Sequence, residues 1–465
     1  MTALRLQLNA VTLAERAAVP LSFGAAVAAG VIFVMQPALV LLPAVLLPAL
    51  LLVSSPSARI MFLIFGGLLV FQSSDELTPP KMLFLMGAGV SVVAATVRAQ
   101  QSTDDPVYPD IEPLLRASRA FVFLIIVSLP VSMAHGTTPV AWLRDVAAYV
   151  LFAAAPLLAF DAYSGFSSRA LRRLLVVAGL AGSLAFAAQW LSRRGIVSIS
   201  DVIGLPTFLL GAALFSYALA VVLEGERRRL AWLALAALIL AGFASTGTRG
   251  AVVFLAAPVA IVLGTRQHQA RRSVRLLVVL PAAVFLVALG ILTVVRTTGA
   301  DSDVLSSRAR LAYRTGGSGD QSYSERRLQS QASWKLFKQS PIVGVGPGYP
   351  ISWVDNSGTE TSAPTVDSPV SYLAKFGLLG LWPLALLVWA FRLVLKRMQA
   401  RTGGRSIPQL ALIGFAGVVV AWSVLHVPFE DKGIASGFLL LLAIALSESR
   451  AALDGRRVDR RSGFD

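Results

Sequence analysis

Apolar residues run through this chain in long unbroken blocks, not in the strict alternation of a half-buried strand or the one-sided stripe of a surface helix. From residue 18 to residue 448 the blocks recur at roughly 14 to 22 residues each, most of them long enough to cross a ~30 Å hydrocarbon layer as a helix. The predicted spans are 18–34, 37–53, 59–72, 81–97, 119–134, 141–160, 174–191, 203–223, 229–245, 248–264, 274–295, 371–391, 409–425 and 433–448. The pattern predicts an all-α, polytopic membrane bundle of about fourteen helices. Pro37, Pro43 and Pro48 in the second span and the shortness of the third make a broken helix the alternative there, with a count of thirteen. The residues before Val19 lack a short apolar region followed by a small-residue cleavage site, so the first span is expected to stay in the mature protein.

One long polar segment, 296–370, separates spans 11 and 12. Its first part, Asp301 to Ser324, is rich in Ser, Gly and Arg and reads as mobile. From Glu325 to Gln339, Leu328, Ala332, Trp334, Leu336 and Phe337 recur near helical spacing among basic residues, which predicts an amphipathic helix lying on the membrane surface. Ser340-Pro341 ends it, and Gly344-Val345-Gly346-Pro347-Gly348 predicts a tight turn. Three regions follow: helices 1–9 over 1–243, a core with the long loop over 244–391, and the last helices with a basic tail over 392–465.

Composition confirms the class: 56% of residues are hydrophobic, 14% are charged and mean hydropathy is +0.71, which excludes ordinary soluble folds. The net charge of +16 could suggest a nucleic-acid binder, but the placement of the cations says otherwise. With the N-terminus inside, 26 of the 41 Lys and Arg fall in alternate segments, among them Arg59, Arg98, Arg172, Arg397, Arg401 and Arg450. That is the positive-inside pattern of a multi-pass inner-membrane protein with both termini cytoplasmic and the long loop external. There is no cysteine, so no disulfide framework and no thiol chemistry. No His, Asp and Glu stand at metal-ligand spacing, and neither a metal nor a cofactor is expected.

An ionisable residue at the bilayer centre costs about 2.5–3.5 kcal/mol on insertion scales, so charges close to spans are informative. They gather toward the external side: Arg144 and Asp145 before span 6, Arg249 before span 10, Lys375 near span 12, and His426, Glu430, Asp431 and Lys432 after span 13. Arg144 and Asp145 also fit a pair snorkelling to headgroups. Arg249, in Thr248-Arg249-Gly250, could anchor at the interface too, but its glycines admit a bulky phosphate and Arg offers a fork of donors that suits one. The Gly run by itself is weak evidence for phosphate binding, since no strand or P-loop Lys accompanies it. His135 and His426 stand alone, as exposed or structural histidines usually do, and His268 sits in an Arg-rich loop.

Taken in order, Thr248-Arg249-Gly250, one further span, the Arg-led segment Arg326 to Phe337, then Ser340-Pro341-Ile342-Val343-Gly344-Val345-Gly346-Pro347-Gly348, and finally Tyr372-Leu373 with Gly377-Leu378-Leu379-Gly380-Leu381, the chain resembles the O-antigen ligase and O-antigen polymerase superfamily. The resemblance covers about 244–391. It implies glycosyl transfer on the external face, without metal, from a polyprenyl-diphosphate-linked glycan to a glycan or lipid-glycan acceptor, among membrane lipids and other polysaccharide-assembly proteins and without nucleic acid. In that chemistry Arg249, with Arg326 or Arg327, would stabilise the diphosphate, and Asp367 would serve as base, with His426 as its substitute. Arg144, Arg327, Lys375, Tyr372, Gly346, Gly348 and His426 would contact substrate. One departure stands out: ligases of this family carry a His-Asn motif just before the Tyr-Leu, whereas Val366-Asp367-Ser368-Pro369 stands here, which favours a polymerase-like member over a strict lipopolysaccharide ligase. The alternative from another class is a lipid-linked glycan flippase or secondary transporter, which would show polar residues near the midplane.

Overall fold

The computed structural model describes residues 48–70, 78–193, 206–224, 229–244, 253–264, 321–355, 358–362, 368–425, 429 and 432–462. The expected spans 18–34 and 274–295, most of 37–53, and the loop from 296 to 320 lie outside them. Among the described residues six helices are long and apolar enough to cross a membrane, and seven if one bent pair counts as a single span. The protein is a helical integral membrane protein; the count of fourteen reaches into segments beyond those described.

The bent pair is α1, Pro48–Ser54, and α2, Pro56–Met61, which continues as a π-helical stretch Phe62–Gly66 and one more turn to Val70. They meet at 116° at Ser55, between the expected spans 37–53 and 59–72, and the Ser55 hydroxyl caps α2 by accepting from the Ala58 N–H at 3.2 Å. Then come α3 (Pro79–Gln101), α4 (Tyr108–Ala134) and α5 (Pro139–Gly165). Each starts with proline in its first turn, where the missing N–H is not needed. They are followed by α6 (Ser168–Arg193), α7 (Pro206–Glu224), α8 (Arg229–Ala244) and α9 (Ala256–Gly264). Between α9 and α12 lie α10 (Gln321–Gln339), a hairpin of β1 (Ile351–Asp355) and β2 (Gly358–Ser362), and the short α11 (Val370–Phe376). After α11 come α12 (Leu381–Thr402), α13 (Ile407–Leu425) and α14 (Lys432–Ser462).

Helix α5 is the axle of the bundle. Its alanines 147, 148, 153, 154, 155, 159 and 162 are buried and let α14, α4 and α3 approach closely. Helix α7 is equally buried, packed among α6, α8, α13 and α14. By contrast α3 and α12 turn wide apolar faces outward, with Met86, Val93, Val388 and Trp389 exposed, as lipid-facing helices do. Phe429, which takes φ +65°, stacks on Phe152 at 4.2 Å and lies edge-on to Phe121 at 6.4 Å. Both partners sit at the middle of their helices, so Phe429 lies at about half the length of α4 and α5.

Two sequence expectations need correction here. The predicted span 371–391 is two pieces: α11 ends at Gly377 (φ +61°), a 3-10 turn Leu378–Gly380 follows, and the spanning stretch is Leu378–Thr402. The amphipathic segment is helical, from Gln321, but Leu328, Ala332 and Leu336 do not face a membrane. They pack on Ile351 and Trp353 of the hairpin, an element that the all-α expectation omitted.

Candidate functional site

Charged side chains collect at the two ends of the bundle. At the end where α3 finishes and α4 begins, Asp161 receives Arg59 through both guanidinium arms at 2.7 Å, with Arg98 3.8 Å away. Arg401 meets Asp110 at 2.9 Å, Arg450 meets Asp105 at 3.4 Å, Arg172 meets Glu448 at 2.9 Å, and Arg397 donates to the carbonyl of Pro109. All six arginines belong to the set that the sequence placed on the cytoplasmic side. We call this the basic end. Arg144, Asp145 and Lys375 lie at the other, the loop end, beside α10 and the glycine-rich turn.

There the segment 341–348 runs along α11 by backbone pairing. Val345 and Gly346 donate to the carbonyls of Ala374 and Lys375 at 2.8 and 3.0 Å, and Leu378 and Leu379 donate back to Pro341 and Ile342 at 2.8 and 3.0 Å. Gly346 and Gly348 wedge this segment against the tip of the α4–α5 hairpin. Each has positive φ, and a Cβ would lie 2.2 Å from Ser132 Oγ at Gly346 and 2.6 Å from Trp142 N at Gly348. Only glycine fits either place.

Asp145 locks the arrangement. Its Oδ2 accepts the Gly348 N–H at 2.6 Å and its Oδ1 meets Lys375 Nζ at 2.7 Å, with both side chains 1% exposed. The sequence singled out Asp145 only as a neighbour of Arg144. An acid in the second turn of an apolar helix was the available signal, but its partners lie 203 and 230 residues away. Tyr372 is also committed inward. Its hydroxyl donates to the Gly380 carbonyl at 2.9 Å, and burial pushes its pKa up, so it remains a donor at any ordinary pH.

Of the other expected site residues, Arg326 is half-buried and Arg327 exposed on α10. Ser330 on that helix hydrogen-bonds Ser368 at 2.9 Å, which fastens α10 beside the start of α11, one residue after Asp367. Arg144 is half-buried; its Nε is shielded from solvent and has no hydrogen-bond partner, while the adjacent Asp145 spends both oxygens elsewhere. His135 closes the rim, with Nδ1 2.9 Å from the Val131 carbonyl and its ring edge-on to Tyr349 at 6.2 Å. Arg249, Asp367 and His426 lie outside the described residues. Among the described residues no three His, Cys, Asp or Glu are grouped to hold a metal.

The stretch that contains α10, the turn and α11 is also the stretch that comparison with known families singles out. Residues 234–385 match the O-antigen ligase family. The resemblance read from the order of motifs over 244–391 is thus shown for this part of the chain. The O-antigen ligase segment supplies the glycine-rich turn, α10, the hairpin and α11, and the packing partners Ser132, Trp142 and Asp145 come from outside it. No curated protein matches this chain.

Proposed function

We propose that this protein transfers a glycan from a polyprenyl diphosphate to a glycan or lipid-glycan acceptor at the loop end, which faces the outside of a bacterial inner membrane. The match of residues 234–385 to the O-antigen ligase family carries the reading, and the charge distribution supports it. At the basic end Arg59 and Arg401 are spent on buried carboxylates, whereas at the loop end Arg144 Nε is shielded from solvent without a hydrogen-bond partner.

In this mechanism the departing diphosphate gathers negative charge as the glycosidic bond breaks. Arg249 and Arg326 stabilise it, with Arg327 and Arg144 as further cations, and fixed donors in a partly dry groove do this better than water. Asp367, three residues before α11 in the sequence, takes the proton of the acceptor hydroxyl, and His426 is its substitute. Lys375, Tyr372, Gly346 and Gly348 serve the substrate as the frame beneath it: their polar groups or backbones hold the turn against α5 and α11 and fix where α10 stands. No metal or cofactor takes part. The 244–391 core works with helices 1–243 on one side and 392–465 on the other, alongside other polysaccharide-assembly proteins.

The test is the surface-glycan profile of cells lacking the protein, complemented with wild type, Arg249→Ala or Asp367→Asn at matched membrane levels. Loss of chain length or attachment, with lipid-linked units accumulating outside and no rescue by either variant, is the expected result. Accumulation of those units on the cytoplasmic face would replace this reading with transport, and full activity of either variant would remove that residue from its role.

A further inference from the structure

Helix α10 has three faces, and two of them are covered. Leu328, Ala332 and Leu336 lie under the hairpin, while Gln329 and Ser333 are buried and Ser330 is bonded to Ser368 next to α11. The third face is a single stripe of exposed residues at helical spacing, Arg327, Gln331, Trp334 and Lys338, with Lys335 beside it. Three of these five are cations. Trp334 is 45% exposed, stacks on Phe337 at 5.0 Å and has Lys338 Nζ 6.0 Å from its ring.

The chain leaving this helix is tied to the first turn of a membrane span. Pro341 and Ile342 accept from Leu378 and Leu379, and Leu378 opens the spanning stretch Leu378–Thr402. Ile342, at 67% exposure, is therefore level with Leu378, Leu379 and Leu381, which are themselves exposed, and one turn from exposed Trp382. An apolar rim at the head of a span belongs to the bilayer boundary, and a Trp-and-Lys stripe running down to that rim has the composition of a segment that lies in the headgroup layer.

We propose that the C-terminal half of α10 and the turn after it rest on the bilayer, with Trp334, Phe337 and Ile342 at headgroup depth and Lys335 and Lys338 against the phosphates of anionic phospholipids. Of the apolar residues that periodicity assigns to the membrane surface, Trp334 and Phe337 stay there, while Leu328, Ala332 and Leu336 turn to the hairpin. The hairpin then sits on the far side of α10 from the lipid, in keeping with its outer face, where Ser352 and Thr361 hydrogen-bond to each other in the open at 2.9 Å. This surface does not depend on the glycan-transfer reading.

Because the chain has no cysteine, single substitutions report one position each. Spin labels at Gln331→Cys, which leaves Trp334 in place, at Ile342→Cys and at Ser352→Cys would be compared in nanodiscs of phosphatidylcholine with and without phosphatidylglycerol. Power saturation against oxygen and a water-soluble nickel chelate reads the depth of each label. The expected result is a headgroup-level ratio at 331 and 342 and a water-level ratio at 352. Removing phosphatidylglycerol, or combining Lys335→Gln with Lys338→Gln, shifts the label at 331 toward the value at 352. A label at 331 as open to the nickel chelate as that at 352 in both lipids overturns the proposal. Protection of 331 from both reagents also overturns it, in favour of a protein or glycan cover.

Discussion

The two ends of the bundle are held by different means. At the basic end, charged side chains cross-link helices that the membrane has already aligned, and most of the pairs retain some contact with water: Arg98, Arg172 and Arg450 are more than one-third exposed. At the loop end, backbone meets backbone through glycines, and one buried carboxylate, Asp145, joins three parts of the chain. The difference shows what each end tolerates. A water-accessible ion pair contributes little and can rearrange. A glycine wedged against a neighbouring helix with a buried charge behind it has no alternative arrangement of similar energy.

The largest effect is expected where the contrast is sharpest. Lys375→Met leaves Asp145 buried and unpaired, at a cost of about 3–5 kcal/mol. It should lower the unfolding midpoint in detergent and release the 341–348 amides to hydrogen exchange, while Asp145→Asn added to it recovers much of the loss. A double variant no better than the single would show that the charge itself is not the problem. Arg59→Ala tests the pair at the basic end that is fully buried among the described residues, where Arg59 also donates to the carbonyls of Leu52 and Val53 at the end of α1. A loss again of about 3–5 kcal/mol is expected, with exchange rising around α1 and α2 and not at the turn. If both variants open the same amides, the two ends are not independent.

Gly346→Ala should cost about 1–3 kcal/mol through overpacking against Ser132, read as a lower midpoint. An unchanged midpoint would mean the wedge can slide. Tyr372→Phe leaves the Gly380 carbonyl short of its donor, a loss of about 1–3 kcal/mol. Arg450→Ala at the basic end should stay within about 1 kcal/mol, given the exposure of its pair with Asp105. A larger drop there would erase the distinction between the ends.

Hydropathy located the membrane-crossing part of most helices but not where they stop. Span 119–134 is the apolar portion of α4, which begins at Tyr108. In its polar first turns the Pro109 carbonyl, which Pro113 has no N–H to bond, is taken up by Arg397 of α12, and Arg401 takes the carbonyl of Pro106 just before the helix. Similarly, α14 runs to Ser462 through residues that hydropathy assigns to a basic tail. The glycines of the turn were visible as a motif, but whether they cradle a phosphate or wedge against Ser132 and Trp142 is decided by a helix hairpin some 200 residues earlier. The hairpin β1–β2 was missed because its apolar residues are few, Ile351 and Trp353 on the buried face and Val354 on the exposed one, among polar neighbours.

The sequence by itself determined that this is a helical membrane protein, which charges share an end, and the family of residues 234–385. Those properties follow from the cost of placing polar groups in hydrocarbon and from the local order of motifs, and neither needs distant partners. Only the tertiary structure decided that Asp145 is the anchor of the turn, that Arg59 braces a broken helix, and that α10 covers one apolar face and exposes another. Each of these depends on which surfaces meet across long stretches of chain, and the free energy of such meetings lies in packing and desolvation that local pattern does not encode.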